Sequence, residues 1–266
     1  MSNGQRLTAM AAPLLEVRDV EVRFGGIVAL DRISFDIAPD TIVGLIGPNG
    51  AGKTSLFNCL SRLYTPSAGS IQFAQRSILD LPPHRIATLG IGRTFQNLAL
   101  FRSLSVLDNV RIGGHTRHPV QFWADALNLP SSRKGRASST AAAHRFINHL
   151  GLTDVAHQKV GDLPFGTQKR VELARALATH PRLLLLDEPA CGLNHEEVEE
   201  LGRTITRLQR DFALAILLVE HHMGLVMSIS QKVVAMNFGR KIAEGTPQEV
   251  QSHPDVIAAY LGANVE

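Results

Sequence analysis

The sequence predicts an α/β fold: a mixed, largely parallel sheet covered on both faces, with an antiparallel β-subdomain and a helical subdomain. Three observations predict it. Residues 41–46, 183–186, 213–219 and 232–237 are short apolar runs of strand length, and strands buried on both faces read as such runs. An amphipathic pattern over residues 195–210 separates two of them, as a crossover helix does. Residues 15–37 instead alternate apolar and polar positions, the mark of strands with one covered face.

Taken in order, residues 1–13 have no long apolar stretch of the secretory type and are expected to be a loose, flexible tail. The alternating segment then divides in two. Leu15, Val17, Val22 and Phe24 fall in one strand, and Val28, Leu30, Ile33, Phe35 and Ile37 in the next. Gly25-Gly26 supplies the hairpin turn. Ser70-Ile71-Gln72-Phe73 is expected to continue this subdomain. The buried run Thr41-Ile42-Val43-Gly44-Leu45-Ile46 leads into a glycine-rich segment, and a helix with Leu56, Leu60 and Leu63 on one face follows. Residues 105–180 have helical character, interrupted at 130–139 by a weakly patterned, Ser-rich stretch expected to be a mobile loop. The last third alternates strand and helix.

Bulk properties set bounds. The chain has 266 residues, 44% hydrophobic and 19% charged, enough for one large domain or a domain with a subdomain. A net charge of +3, with basic residues scattered apart from Arg133, Lys134 and Arg136, lacks the basic footprint of a nucleic-acid binder. Cys59 and Cys191 stand in no metal-ligand spacing and read as reduced thiols. No apolar run reaches the ~18 residues that span a bilayer, so work at a membrane requires another chain as anchor.

The chemistry concentrates in two segments. Gly47-Pro48-Asn49-Gly50-Ala51-Gly52-Lys53-Thr54 fits G-x-x-x-x-G-K-[ST], between a strand and a helix. That arrangement presents backbone N–H groups to a polyphosphate, and glycines let the phosphate approach the backbone. Lys53 is placed to reach the β- and γ-phosphates, and Thr54 to ligate Mg²⁺. The second segment, Leu183-Leu184-Leu185-Leu186-Asp187-Glu188-Pro189, delivers two carboxylates to the sheet edge. Asp187 can hold the metal through water, and Glu188 can polarise an attacking water.

With these segments in place, the chain resembles the ATP-binding subunits of ABC transporters. Leu163-Pro164-Phe165-Gly166-Thr167-Gln168 stands where that family carries its Leu-Ser-Gly-Gly-Gln signature. Gln96 matches the Q-loop glutamine, Ala190-Cys191-Gly192-Leu193-Asn194 the D-loop, His221 the switch histidine and Phe24 the aromatic that stacks on adenine. The resemblance implies an ABC cassette over residues 14–266, with a catalytic core and β-subdomain at about 14–100 and 181–266 and a helical subdomain at about 101–180. It implies ATP and Mg²⁺ as ligands, bound by Phe24, residues 47–54 and Ser55, with Gly166 and Thr167 contacting the nucleotide of a second cassette. Glu188, His221, Gln96 and Lys53 are the implied catalytic residues, and Thr54, Gln96 and Asp187 the implied metal residues.

Glu188-Pro189-Ala190-Cys191-Gly192-Leu193-Asn194, Val219-Glu220-His221-His222-Met223 and the tail from Gly245 to Gly262 resemble the cassettes of branched-chain amino acid importers. That likeness implies a homodimer or a heterodimer with a sibling cassette, two membrane permease subunits and a periplasmic or surface solute-binding protein. It places the chain peripherally on the cytoplasmic face of the cell membrane, with no nucleic acid bound. Cassettes for urea uptake and for lipopolysaccharide export share several of these marks, and a soluble ABC-type protein acting on ribosomes or nucleic acid is the alternative from another class. The signature departs from the family's pattern: Pro164 offers neither hydroxyl nor N–H, so backbone amides near Gly166 and the following helix N-terminus must make that contact. Asn194, His195 and His222 replace the D-loop aspartate, a proline and an aspartate common in the branch.

Overall fold

Side-chain period decides which sheet each strand joins. The computed structural model describes residues 12–95, 98–117 and 130–261. The alternating segment forms β1 (Leu15–Phe24) and β2 (Ile27–Ile37), an antiparallel hairpin turning at Gly25 and Gly26. Next come β3 (Ile42–Ile46), α1 (Lys53–Leu60), β4 (Ala68–Phe73) and β5 (Arg76–Ser77). β4 pairs antiparallel with the other edge of β1, giving the order β2-β1-β4-β5. Asp19 adopts a left-handed backbone (φ 48), and the register of β1 shifts between Val17 and Val20. The bulge keeps Leu15, Val17, Val20 and Val22 all facing inward.

α1 is shorter than its apolar pattern suggests. Leu56 and Leu60 are buried, but the helix ends at Leu60 and Leu63 is 54% exposed. Arg62, left-handed with φ 59, turns the chain there. After α2 (Ile86–Leu89) and β6 (Ile91–Arg93) come three longer helices: α3 (Val106–Gly113), α4 (Pro130–His149) and α5 (Phe165–Leu177). Residues 130–139, expected as a mobile loop, are instead the first half of α4. Pro130 occupies the first helical position, where a missing N–H costs nothing, and Ala137, Ala141, Ala142 and Ala143 favour helix.

The C-terminal third supplies β7 (Leu183–Asp187), α6 (His195–Phe212), β8 (Ala215–Val219), α7 (Met223–Ile229), β9 (Lys232–Asn237), β10 (Arg240–Gly245), α8 (Pro247–Gln251) and α9 (Pro254–Leu261). β8 starts later than its apolar run because Ala213 (φ 49) is the left-handed cap of α6. The main sheet has the order β10-β9-β3-β8-β7-β6, with only β10 antiparallel to its neighbour.

Both faces of this sheet are covered, and the period of two separates them. Val43, Leu45, Leu183, Leu185, Leu217 and Val219 pack with the β-subdomain and α1. Ile42, Ile46, Leu184, Leu186, Ile216 and Leu218 pack with the helices on the other side. The edge hairpin ties the two sheets together: Lys232 pairs with Asp36 and Glu244 (2.5 Å each), and Arg240 pairs with Asp31 (2.6 Å).

Candidate active site

Three parallel strands end in line. Leu45 of β3 and Asp187 of β7 both stand opposite Val219 of β8. The next residues, Ile46, Glu188 and Glu220, therefore leave the carboxyl edge of the sheet together, where open α/β sheets bind ligands.

The loop from β3 to α1 is residues 47–52. Gly52 caps α1 with φ 98, and a side chain there would come within 2.7 Å of the Ala29 carbonyl, so only glycine fits. Asn49, Gly50 and Thr54 are exposed, Pro48 and Ser55 partly so, and Gly47 and Ala51 are buried. Lys53 is buried, and its Nζ donates to the carbonyls of Gly47 (2.6 Å) and Pro48 (2.9 Å). The ammonium thus lies along the concave side of the loop. Burial pulls its pKa below the usual lysine range, with the charges of Glu188 and Asp187 acting in the opposite sense.

Asp187 is buried and paired. Arg93 Nη2 lies 2.8 Å from its Oδ2, and the guanidinium also donates to Asn58 Oδ1 (2.9 Å) and Ser61 Oγ (3.0 Å). Phe57 and Phe95 flank it, with ring centroids 5.6 and 5.0 Å from Arg93 Cζ. Glu188, one residue on, has a left-handed backbone with φ 49. Its N–H donates to the Val219 carbonyl (2.9 Å), and its Oε1 lies 2.6 Å from His221 Nε2. Glu220 is 2% exposed, and its carboxylate accepts from Ala190 N (2.5 Å) and His221 N (3.1 Å). Burial raises the Glu220 pKa, and the backbone N–H groups of Ala190, His222 and His221 oppose the rise.

The remaining predicted residues are more dispersed. Phe24 is 47% exposed and meets Tyr64 edge-on, with ring centroids 5.2 Å apart. Gln96 lies outside the described residues, as do residues 1–11 of the expected tail. The chain on either side of Gln96 is fastened to α5: Phe95 N donates to Glu172 Oε1 (3.0 Å), and Arg175 donates to the Ala99 carbonyl. Burial raises the pKa of Glu172, with the Phe95 amide opposing.

Gly166 and Thr167 open α5 beside the segment 190–194 of the same chain. A side chain at Gly166 would meet Glu197 Oε1 at 3.0 Å, and one at Gly192 would come 2.9 Å from the Phe165 ring. The Thr167 hydroxyl accepts from Arg170 (3.3 Å). Asn194 is the N-cap of α6 in a reciprocal capping box with Glu197 (3.0 and 2.9 Å), which gives this D-loop replacement a structural role. Cys191 is exposed; Cys59 is buried, and burial pushes its pKa to about 11.

Sequence reasoning gave no role to Arg93, Tyr64, Glu172 or Glu220. Each acts through a partner distant in sequence, and no local spacing marks such pairs.

The family model described as ABC transporter matches residues 30–191, more than half of the chain. The chain belongs to the ABC transporter family. The tail of this cassette, residues 240–266, matches the model described as branched-chain amino acid ATP-binding cassette transporter. The cassette is 40% identical over 253 residues to the high-affinity branched-chain amino acid transport ATP-binding protein BraF of Pseudomonas aeruginosa, covering 95% of this chain and 99% of that protein. It is 41% identical, with the same coverage, to the LivG protein of Salmonella typhimurium that carries the same description. Among solved structures, the ADP conformation of MJ1267, an ATP-binding cassette of an ABC transporter, superposes with a TM-score of 0.80 at 25% identity, covering 94% of this chain and 99% of that one. A nucleotide-free ATP-binding cassette from an ABC transporter gives 0.81 at 26% identity, covering 93% and 98%. The expected fold class, an ABC cassette with a mixed sheet, a β-subdomain and helices, is therefore the observed one.

Proposed function

We propose that this chain is the ATP-hydrolysing subunit of an importer for branched-chain or related amino acids. It acts as one of two cassettes at the cytoplasmic face of the cell membrane, docked on two permease subunits that receive solute from a periplasmic or surface binding protein. Likeness to BraF and LivG over almost the whole chain, together with the C-terminal match, supports the amino-acid assignment. Among the described residues no helix is long and apolar enough to cross a membrane.

The observation that carries the chemistry is the 2.6 Å contact between Glu188 and His221 at the edge where the phosphate loop opens. The N–H groups of residues 47–54 cradle the triphosphate, and Lys53 exchanges the Gly47 and Pro48 carbonyls for the β- and γ-phosphate oxygens. Glu188 orients the attacking water and takes its proton, while His221 donates to the γ-phosphate as its charge develops. Phe24, backed by Tyr64, offers a ring face to adenine. The Thr54 hydroxyl, the Asp187 carboxylate and the Gln96 side chain would hold Mg²⁺; all offer oxygen, the donor set that ion takes. Bound there, it would supply positive charge against the triphosphate. Gly166 and Thr167 of the opposing cassette cover the γ-phosphate. ATP touches both cassettes only when they close, and that difference in affinity drives closure.

Glu188→Gln tests the assignment. Calorimetric ATP binding should stay within about twofold while phosphate release falls at least ~100-fold, the scale of losing a general base. Near wild-type release would remove Glu188 from this role. Purification from detergent-solubilised membranes should recover the chain with polytopic subunits; recovery on ribosomes or DNA would contradict the importer reading.

A further inference from the structure

We propose that Glu220 is a positioning residue for hydrolysis: its buried carboxylate ties the chain after Glu188 to the chain at His221 and so fixes the geometry of that pair. The proposal rests on the reading of Glu188 as the residue that acts on water. No step above uses Glu220, although it is 2% exposed at the active edge of the sheet.

Its two oxygens serve two loops. Oε1 accepts from the N–H of Ala190, at 2.5 Å, and Oε2 from the N–H of His221, at 3.1 Å. Pro189 has no N–H, so Ala190 offers the first backbone donor after Glu188 by which the chain can be fastened. On the other flank, the N–H of Glu188 donates to the Val219 carbonyl (2.9 Å). Two consecutive residues at the end of β8 therefore grip Glu188 from both sides.

The grip has something to hold. Glu188 has φ 49, a left-handed conformation rare for a residue with a side chain. Such a backbone persists only where the surroundings over-determine it. An ionised carboxylate suits this task because both of its oxygens accept and neither atom donates. A carboxamide of the same shape must turn its NH₂ toward one of the two N–H donors, leaving one loop unfastened.

Glu220→Gln is the test, with Mg²⁺ and ATP. We expect kcat to fall about 10- to 100-fold while ATP Kd and KM stay within about threefold, as when a reacting group is displaced by a fraction of an ångström. Loss of folded protein alone would leave kcat per ATP-binding site unchanged, and that result overturns the proposal. In single-turnover assays on the Glu188→Gln background, adding Glu220→Gln should cost less than threefold further, because Glu220 acts through Glu188; a full multiplicative loss overturns it. Wild-type hydrolysis by Glu220→Gln alongside collapse in Glu188→Gln defeats this inference and leaves the active-site reading intact. Wild-type hydrolysis by Glu188→Gln defeats that reading itself. Should Glu220→Gln not fold, hydrogen exchange in the wild-type chain decides: the Ala190 amide should be protected as well as those of β7, and exchange at the rate of an open loop overturns the proposal.

Discussion

Lys53 donates to two carbonyls of its own loop, at 2.6 and 2.9 Å. In the proposed binding mode its charge already lies on the concave side of the loop, and the phosphate oxygens replace the two carbonyls as acceptors. Lys53→Ala should abolish productive ATP binding in calorimetry; unchanged affinity would sink the phosphate-loop assignment. Arg93 behaves differently. It and Asp187 have side chains only 9% and 6% exposed, and removing one partner strands a charge. Arg93→Met should cost about 3 kcal/mol in urea unfolding, because a buried ion pair loses most when it is broken from one side. A loss below ~1 kcal/mol would mean that water or a rearranged neighbour takes over. The placement of Lys53, Asp187 and Glu188 at one sheet edge was legible in the sequence because contiguous residues on a strand and its following turn carry the pattern. Arg93 and Glu220 were not. Arg93 meets Asp187 across 94 residues, and Glu220 meets Ala190 across 30, so only the pairing of strands brings them together.

Elements were legible where apolar period was strong. The buried strands β3, β7, β8 and β9 and the helix α6 announced themselves as runs or faces. α4 did not, because its first half is serine- and cation-rich and shows no apolar stripe. There a propensity signal, proline at the start and alanines after it, outweighed the missing period. The overlong reading of α1 failed for the opposite reason: Leu63 fits the helical face, but the left-handed Arg62 turns the chain before it. α6 owes its start to Asn194, whose side chain accepts from Glu197 N while Glu197 returns a bond to Asn194 N. Asn194→Ala should cost about 1 kcal/mol and lower Tm by roughly 2–4 °C in a chain of this size. Calorimetry checks it, and an unchanged Tm would show the cap to be dispensable.

For the whole molecule, the hairpin of β9 and β10 is the strap between the two sheets. Lys232 lies between Asp36 of β2 and Glu244 of β10. The Lys232 hydrogen bond holds Asp36 below its ordinary 3.8. Burial would raise Glu244, but pairing with Lys232 and Lys241 wins and holds it below 4.5. Burial likewise works against the Lys232 charge, and the two carboxylates override it and raise its pKa. The signs follow by linkage. The carboxylates contribute stability above their ordinary pKa values and lose it as pH falls through the lowered folded ones. Lys232 contributes until pH rises through its raised value, above 10.5. The urea-unfolding difference between wild type and Lys232→Met should therefore shrink between pH 6 and pH 3; a constant difference would place the strap's strength elsewhere.

The surface offers one more handle. With Cys59 sealed in the core and Cys191 open to solvent on the turn after Glu188, a maleimide dye should react at Cys191 alone. The unmodified chain thus arrives with a single labelling position. Fluorescence from that position would report the proposed closure of two cassettes, with no cysteine having to be engineered away.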